Sequence, residues 1–124
     1  MEYRTLGKTG LKVSIISFGA APLGSEYRSI DESEGISAVH TALDLGINFI
    51  DTSPYYGRTK SEMVLGKALR IVNRDQYYLA TKVGRYGLQD FDFTANRVIK
   101  SVDQSLTRLR TDHIDLIQCH DIEF

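Results

Sequence analysis

The strongest constraint on this chain is a repeated alternation of two kinds of segment. Short apolar runs, Val13 to Ala20, Ile47 to Asp51, Tyr77 to Lys82 and Ile114 to His120, recur at roughly thirty-residue spacing and end in small, polar or ionisable residues. Runs of this kind suit strands buried on both faces, with Val13 to Ala20 as the first. Between them lie amphipathic segments. The first starts near Asp31, places Ile36, Val39 and Leu43 on one stripe and stops at Gly46, a residue suited to the left-handed position after a helix. The second opens on Thr59-Lys60-Ser61-Glu62, which has the spacing of a capping box, and continues with Met63, Leu65 and Leu69 as its apolar surface. The third is capped by Thr94, aligns Val98, Val102, Leu106 and Leu109, and carries Arg97, Lys100 and Asp103 on its polar face. Parallel strands need crossovers of this length, so the class is α/β. Ahead of them, Lys8-Thr9-Gly10 between Tyr3 to Leu6 and Leu11 to Ser14 reads as the turn of a small β-hairpin. A doubly wound nucleotide-binding sheet calls for G-x-G-x-x-G after its first strand, whereas this chain has FGAAPLG. A (β/α) barrel is the better reading.

Composition narrows the partners. The 15 basic and 16 acidic residues are interspersed without a basic block, which disfavours nucleic acid and anionic membranes. The weakly polar run Val13 to Leu23 is shorter than the ~20 apolar residues of a membrane-spanning helix. One cysteine, Cys119, has no intrachain partner, and Met1-Glu2-Tyr3-Arg4 lacks the pattern of a secretory signal, so a cytoplasmic location is expected.

In a (β/α) barrel the active site gathers at the carboxyl ends of the strands. Asp51, Lys82 and His120 are polar groups that close apolar strands, an arrangement that is costly unless the groups meet partners. The loop after Asp51 adds Tyr55 and Tyr56. Carboxylate, phenol, ammonium and imidazole at one mouth make a proton-transfer set, in which an ammonium favours the anionic form of a neighbouring phenol.

DTSPYYG, ATKVG and DLIQCH, in that order and at barrel spacing, resemble the tetrad segments of the aldo-keto reductases, and the resemblance runs along the whole chain. It implies the amino-terminal half of a (β/α)8 TIM barrel and a tetrad of Asp51, Tyr56, Lys82 and His120. It also implies NAD or NADP as cofactor, approached at the nicotinamide end by Gly19, Ala20, Ala21 and Asp51. In the tetrad Tyr56 moves the proton, Asp51 holds Lys82, and His120 donates a hydrogen bond to the substrate oxygen. The segments GINFIDTSPYYG, FDFTANRVIKSVDQSL and QCHDIEF are similar to the sugar-oxidising members of that family, L-galactose dehydrogenases among them. They imply a small sugar or carbonyl substrate, and Ser53, Arg85, Tyr86 and Asp121 are candidates to meet sugar hydroxyls.

Other constellations have plainer readings. Cys119 with His120, His113, Asp115, Asp121 and Glu123 could suggest a metal cluster, but strand alternation points Cys119 away from His120 and toward the helices as a small buried residue. No metal is expected. Tyr55, Phe91 and Phe93 read as packing residues, and His40 as structural. A complete barrel needs eight strand-helix units and ~250 residues. Residues 1–124 therefore read as a partial barrel domain that continues beyond Phe124, with open edges prone to self-association and no activity in isolation. A non-catalytic interaction subunit on the same fold, of the kind that accompanies potassium channels, is the rival reading.

Overall fold

The computed structural model describes residues 1–124. A two-stranded antiparallel hairpin, β1 (Tyr3–Thr5) with β2 (Lys12–Ser14), precedes a four-stranded parallel sheet, β3 (Phe18–Gly19), β4 (Phe49–Asp51), β5 (Tyr78–Val83) and β6 (Leu116–Cys119). Helices α1 (Glu32–Asp44), α2 (Lys60–Leu69) and α3 (Ala95–Leu109) make the crossovers. Spatial order follows chain order, β3-β4-β5-β6. A doubly wound sheet reverses direction partway across, whereas an unreversed run of parallel neighbours is the path of a barrel wall.

Val13 to Ala20 is not one strand. Its first part pairs in the hairpin, the chain bends through Ile15 and Ile16, which are 51% and 56% exposed, and only Phe18 and Gly19 join the parallel sheet. The bend is fixed by Ser14, whose hydroxyl donates to the Ile16 carbonyl at 2.6 Å. Asn48, just before β4, accepts from Ser14 N–H at 2.7 Å and donates to the Lys12 carbonyl at 3.0 Å. These bonds clasp the hairpin to the amino-terminal end of the sheet, opposite the mouth.

Two helix ends follow their sequence signals. At the end of α1, Gly46 (φ +92°) sends its N–H to Leu43 and Ile47 sends its own to Ala42, both at 3.0 Å, the paired bonds of a Schellman motif. At the start of α3, Thr94 accepts from Arg97 N–H. His40 on α1 contacts the Ala68 carbonyl at 2.7 Å and so joins α1 to α2.

The capping box does not form. Thr59 is left-handed (φ +81°) without a side-chain cap, because the preceding loop already coils: Lys60 and Ser61 send their N–H groups to the Gly57 and Tyr56 carbonyls. Glu62 is thereby free to turn inward and is fully buried. Its Oε1 accepts from Thr81 at 2.8 Å and from Ser105 at 2.9 Å, while Oε2 accepts from the Arg108 guanidinium at 2.9 Å. One carboxylate thus joins α2, β5 and α3. Met63 points outward and is half exposed, so the apolar face of α2 is Val64, Leu65 and Leu69 instead. These pack with Ile50 and Leu79 from the sheet, and each fully buried aliphatic side chain of this kind contributes about 1.5–3 kcal/mol.

Cys119 is exposed rather than buried, since no helix of this chain packs against the outer face of β6. No helix is long and apolar enough to cross a membrane.

Glu62→Ala would leave the Arg108 charge and two hydroxyls without their partner. The expected loss is about 3–5 kcal/mol of unfolding free energy, read as a lower urea midpoint. Glu62→Gln, which keeps an acceptor for Thr81 and Ser105, should lose less.

Candidate active site

Asp51 closes β4 and Lys82 is the penultimate residue of β5. Pairing sets Asp51 opposite Ala80 and Lys82 opposite Gln118, and paired residues share a face. Ile50, Leu79 and Thr81 face the helices, so Asp51, Lys82 and Gln118 face the other way, with His120 just beyond β6 on the same side.

Lys82 Nζ donates to Asp51 Oδ2 at 2.6 Å and to the Thr52 carbonyl at 2.8 Å. Gln118 Nε2 donates to Asp51 Oδ1 at 2.8 Å, so both carboxylate oxygens are engaged. Gln118 was not singled out in the sequence, although alternation from His120 already places it on that face. The Lys82 ammonium lies 4.8 Å from the Tyr56 ring centroid. Tyr56 and His120 meet edge to face with centroids 5.7 Å apart. Asp51, Tyr56, Lys82 and His120 therefore lie together at one corner of the sheet.

Tyr56 is positioned from behind. A Cβ added to Gly24 would lie 2.7 Å from Tyr56 backbone atoms, so the loop can pack this closely only against a residue without a side chain. Thr52 and Ser61 are both fully buried, with their hydroxyls 2.9 Å apart. Because Ser61 donates to the Ala20 carbonyl at 2.6 Å, Thr52 must be the donor to Ser61. This chain of bonds ties the ends of β3 and β4 to α2.

Around His120, Nδ1 lies 3.1 Å from Ser53 Oγ and Nε2 lies 3.4 Å from Asp121 Oδ2. Arg85 donates to the same Asp121 oxygen at 2.6 Å, and its guanidinium sits 4.3 Å from the Tyr55 centroid and 4.9 Å from that of Phe91. Tyr86 turns away from the corner, its hydroxyl accepting from Gly84 N–H and its ring stacked on Arg97 at 3.6 Å. Gly19 is exposed with open space where a Cβ would stand, beside its register partner Asp51. Ala20 is fully buried, its N–H given to the Asp51 carbonyl, and Ala21 begins the single 3₁₀ turn Ala21–Gly24.

Burial holds the His120 imidazole below its ordinary titration range by withholding water from the charged form. Asp121 opposes this shift, Lys82 and Arg85 add to it by like-charge repulsion, and Asp51 opposes it more weakly. The shift favours the neutral imidazole, with one ring proton, at neutral pH.

A family model described as "Aldo/keto reductase family" matches residues 15–124. L-galactose dehydrogenase of Arabidopsis thaliana is 55% identical over 126 residues, which take in 100% of this chain and 39% of that protein. D-arabinose 1-dehydrogenase of Saccharomyces cerevisiae is 42% identical over 119 residues, 90% of this chain and 34% of that protein. A solved structure of an aldo-keto reductase from Pseudomonas aeruginosa superposes with a TM-score of 0.86 at 41% identity, covering 97% of this chain and 47% of its own. The chain thus spans less than half the length of these relatives.

An NMR titration should give His120 a midpoint below the ordinary ~6.5. Asp121→Asn should lower it further by removing the attraction that opposes burial. Between the folded and ordinary values the unfolded chain binds more protons, so stability rises with pH there. This contribution is complete above the ordinary value and is lost as pH falls through the folded one; a His120 midpoint above ~6.5 would contradict the burial argument.

Proposed function

The chain belongs to the aldo/keto reductase family, and from that premise we propose that it is the amino-terminal portion of an NAD(P)-dependent oxidoreductase that oxidises an aldose such as L-galactose to its lactone. The observation that carries the chemical reading is the corner itself, where a phenol, an ammonium held by a doubly engaged carboxylate, and a neutral imidazole converge. The sugar reading is supported by the two curated relatives, both named as dehydrogenases of aldoses.

Oxidation at an anomeric carbon removes a hydride from carbon and a proton from its hydroxyl, and leaves the lactone carbonyl. A bound nicotinamide supplies the hydride acceptor, a capacity no side chain has. The open space at Gly19, next to the part-exposed Asp51, suits the approach of a flat ring and ribose, with Ala20 and Ala21 completing that loop. Tyr56 takes the hydroxyl proton, and the Lys82 ammonium beside its ring offsets the charge the phenolate carries. Asp51 fixes Lys82, and Gln118 fixes Asp51. His120 donates a hydrogen bond from its ring N–H to the reacting oxygen, keeping its proton, and orients it. Ser53, Arg85 and Asp121 are engaged with one another or with the corner, so any role toward sugar hydroxyls runs through this network.

In a complete barrel carrying this segment, Tyr56→Phe should lower turnover about 10²–10⁴-fold while NAD(P) affinity changes little, as read by steady-state kinetics and cofactor fluorescence. Turnover within a few-fold of the parent would remove Tyr56 from the proposed role. On a substrate panel, L-galactose-like aldoses should be oxidised faster than simple aldehydes are reduced; the reverse order would reject the sugar assignment and spare the family. The 124-residue chain alone should show neither tight NADH or NADPH binding nor turnover, and a monodisperse active monomer would defeat that expectation.

A further inference from the structure

We propose that Ser53 is a positioning residue that fixes His120 as the tautomer protonated on Nε2, so that the imidazole directs its one proton at the substrate oxygen. The inference rests on the role given to His120 above and adds the group that sets its orientation.

Ser53 is fully buried. Its hydroxyl has one proton to give and lone pairs to receive. Tyr55 N–H donates to Oγ at 3.0 Å, so Oγ acts as an acceptor on that side. Pro54, between the two, has no N–H to compete for it. The one other polar atom bonded to Oγ is His120 Nδ1, at 3.1 Å. Two proton arrangements fit this distance. If Nδ1 carried the proton, Oγ would accept twice and its own proton would be buried without an acceptor, at the full desolvation penalty of that group. If Nδ1 is bare, the Ser53 proton has its acceptor and every group is satisfied. The second arrangement wins, and in a neutral imidazole it places the proton on Nε2.

The opposite side of the ring agrees. Nε2 lies 3.4 Å from Asp121 Oδ2 without a hydrogen bond between them, so the nearby carboxylate, already engaged by Arg85, favours an N–H over a bare nitrogen while leaving that N–H available to substrate. The remaining groups around the ring are the Lys82, Arg85 and Asp51 charges and the Tyr55 and Tyr56 rings, at centroid distances of 5.6 and 5.7 Å. None of these bonds to Nδ1. Ser53 is therefore the one side chain that acts on that nitrogen, and it is itself held by the backbone of the loop that carries Tyr56.

The test uses a complete barrel carrying this segment, with ¹⁵N-labelled histidine rings and the His120 signals assigned by their loss in His120→Gln. In the parent protein Nδ1 should show the shift of an unprotonated ring nitrogen and Nε2 that of a protonated one. Ser53→Ala removes the donor that stabilises the neutral ring, so the Nδ1 shift should move, the midpoint of His120 should rise, and kcat should fall by roughly fivefold to tenfold, the weight of one neutral hydrogen bond. Had Ser53 accepted from Nδ1–H, the same variant would lower the midpoint instead. A protonated Nδ1 in the parent protein overturns the proposal whatever the variant does. So does a Ser53→Ala spectrum and midpoint identical to the parent's. A barrel without oxidoreductase activity would defeat the functional reading while leaving the tautomer to be read from the spectrum; activity with a protonated Nδ1 would defeat this inference alone.

Discussion

A lysine residue that is only 8% exposed must find partners for its ammonium, because an ion taken out of water loses several kcal/mol of hydration that only close opposite charge and hydrogen bonds restore. Lys82 finds them in the Asp51 carboxylate and the Thr52 carbonyl, which fixes where β4 ends relative to β5. Gln118 then fills the second oxygen of Asp51 and brings β6 into the same arrangement. The loop after Asp51 carries Ser53 and Tyr56, so the pairing of one ammonium sets the height at which the phenol and the imidazole meet. Packing behind the loop, at Gly24 and through the Thr52–Ser61–Ala20 bonds, holds that height from the other side.

Much of this was legible in the sequence, for identifiable reasons. Strand ends in a parallel barrel wall are where polar groups can meet, so Asp51, Lys82 and His120 could be picked out from pattern alone. Gly46 and Thr94 were legible because their effects are local, involving bonds within a few residues. What failed depended on distant chain. Thr59 and Glu62 have capping-box spacing, yet the loop before α2 coils and leaves Thr59 left-handed, and Glu62 turns instead to the distant Thr81, Ser105 and Arg108. Val13 to Ala20 has strand composition, but Asn48 draws Ser14 into the hairpin and the chain must bend before β3. The position of Cys119 follows from which elements cover β6, which a single strand's composition does not encode.

His120 illustrates how neighbouring charges can be arranged so that none of them decides a proton's position by itself. Lys82 and Arg85 repel an imidazolium while Asp121 and Asp51 attract one, and burial tips the balance toward the neutral ring. A neutral ring has two tautomers, and the surrounding charges act on them far less selectively than a directional bond at one nitrogen. A buried hydroxyl supplies that selectivity because its single proton has one place to go.

The pairing register also explains how the corner resists error. Gly19 stands level with Asp51 and Asp51 with Ala80; Lys82 lies two residues beyond, level with Gln118, and His120 two residues beyond that. Such a climb along successive strands is what tilted barrel strands require of residues that share one mouth. A slip of one residue in β5 would exchange Thr81 and Lys82 between faces. The lysine would then meet Glu62, whose carboxylate already has the Arg108 guanidinium, and Asp51 would lose its cation. Each face of β5 thus has an acidic residue matched to its own cation, so the slipped register sets like charges together on one side and strands a carboxylate on the other. The ion pair that joins α2 to α3 and the ion pair that joins β4 to β5 therefore also specify which residue of β5 faces the mouth.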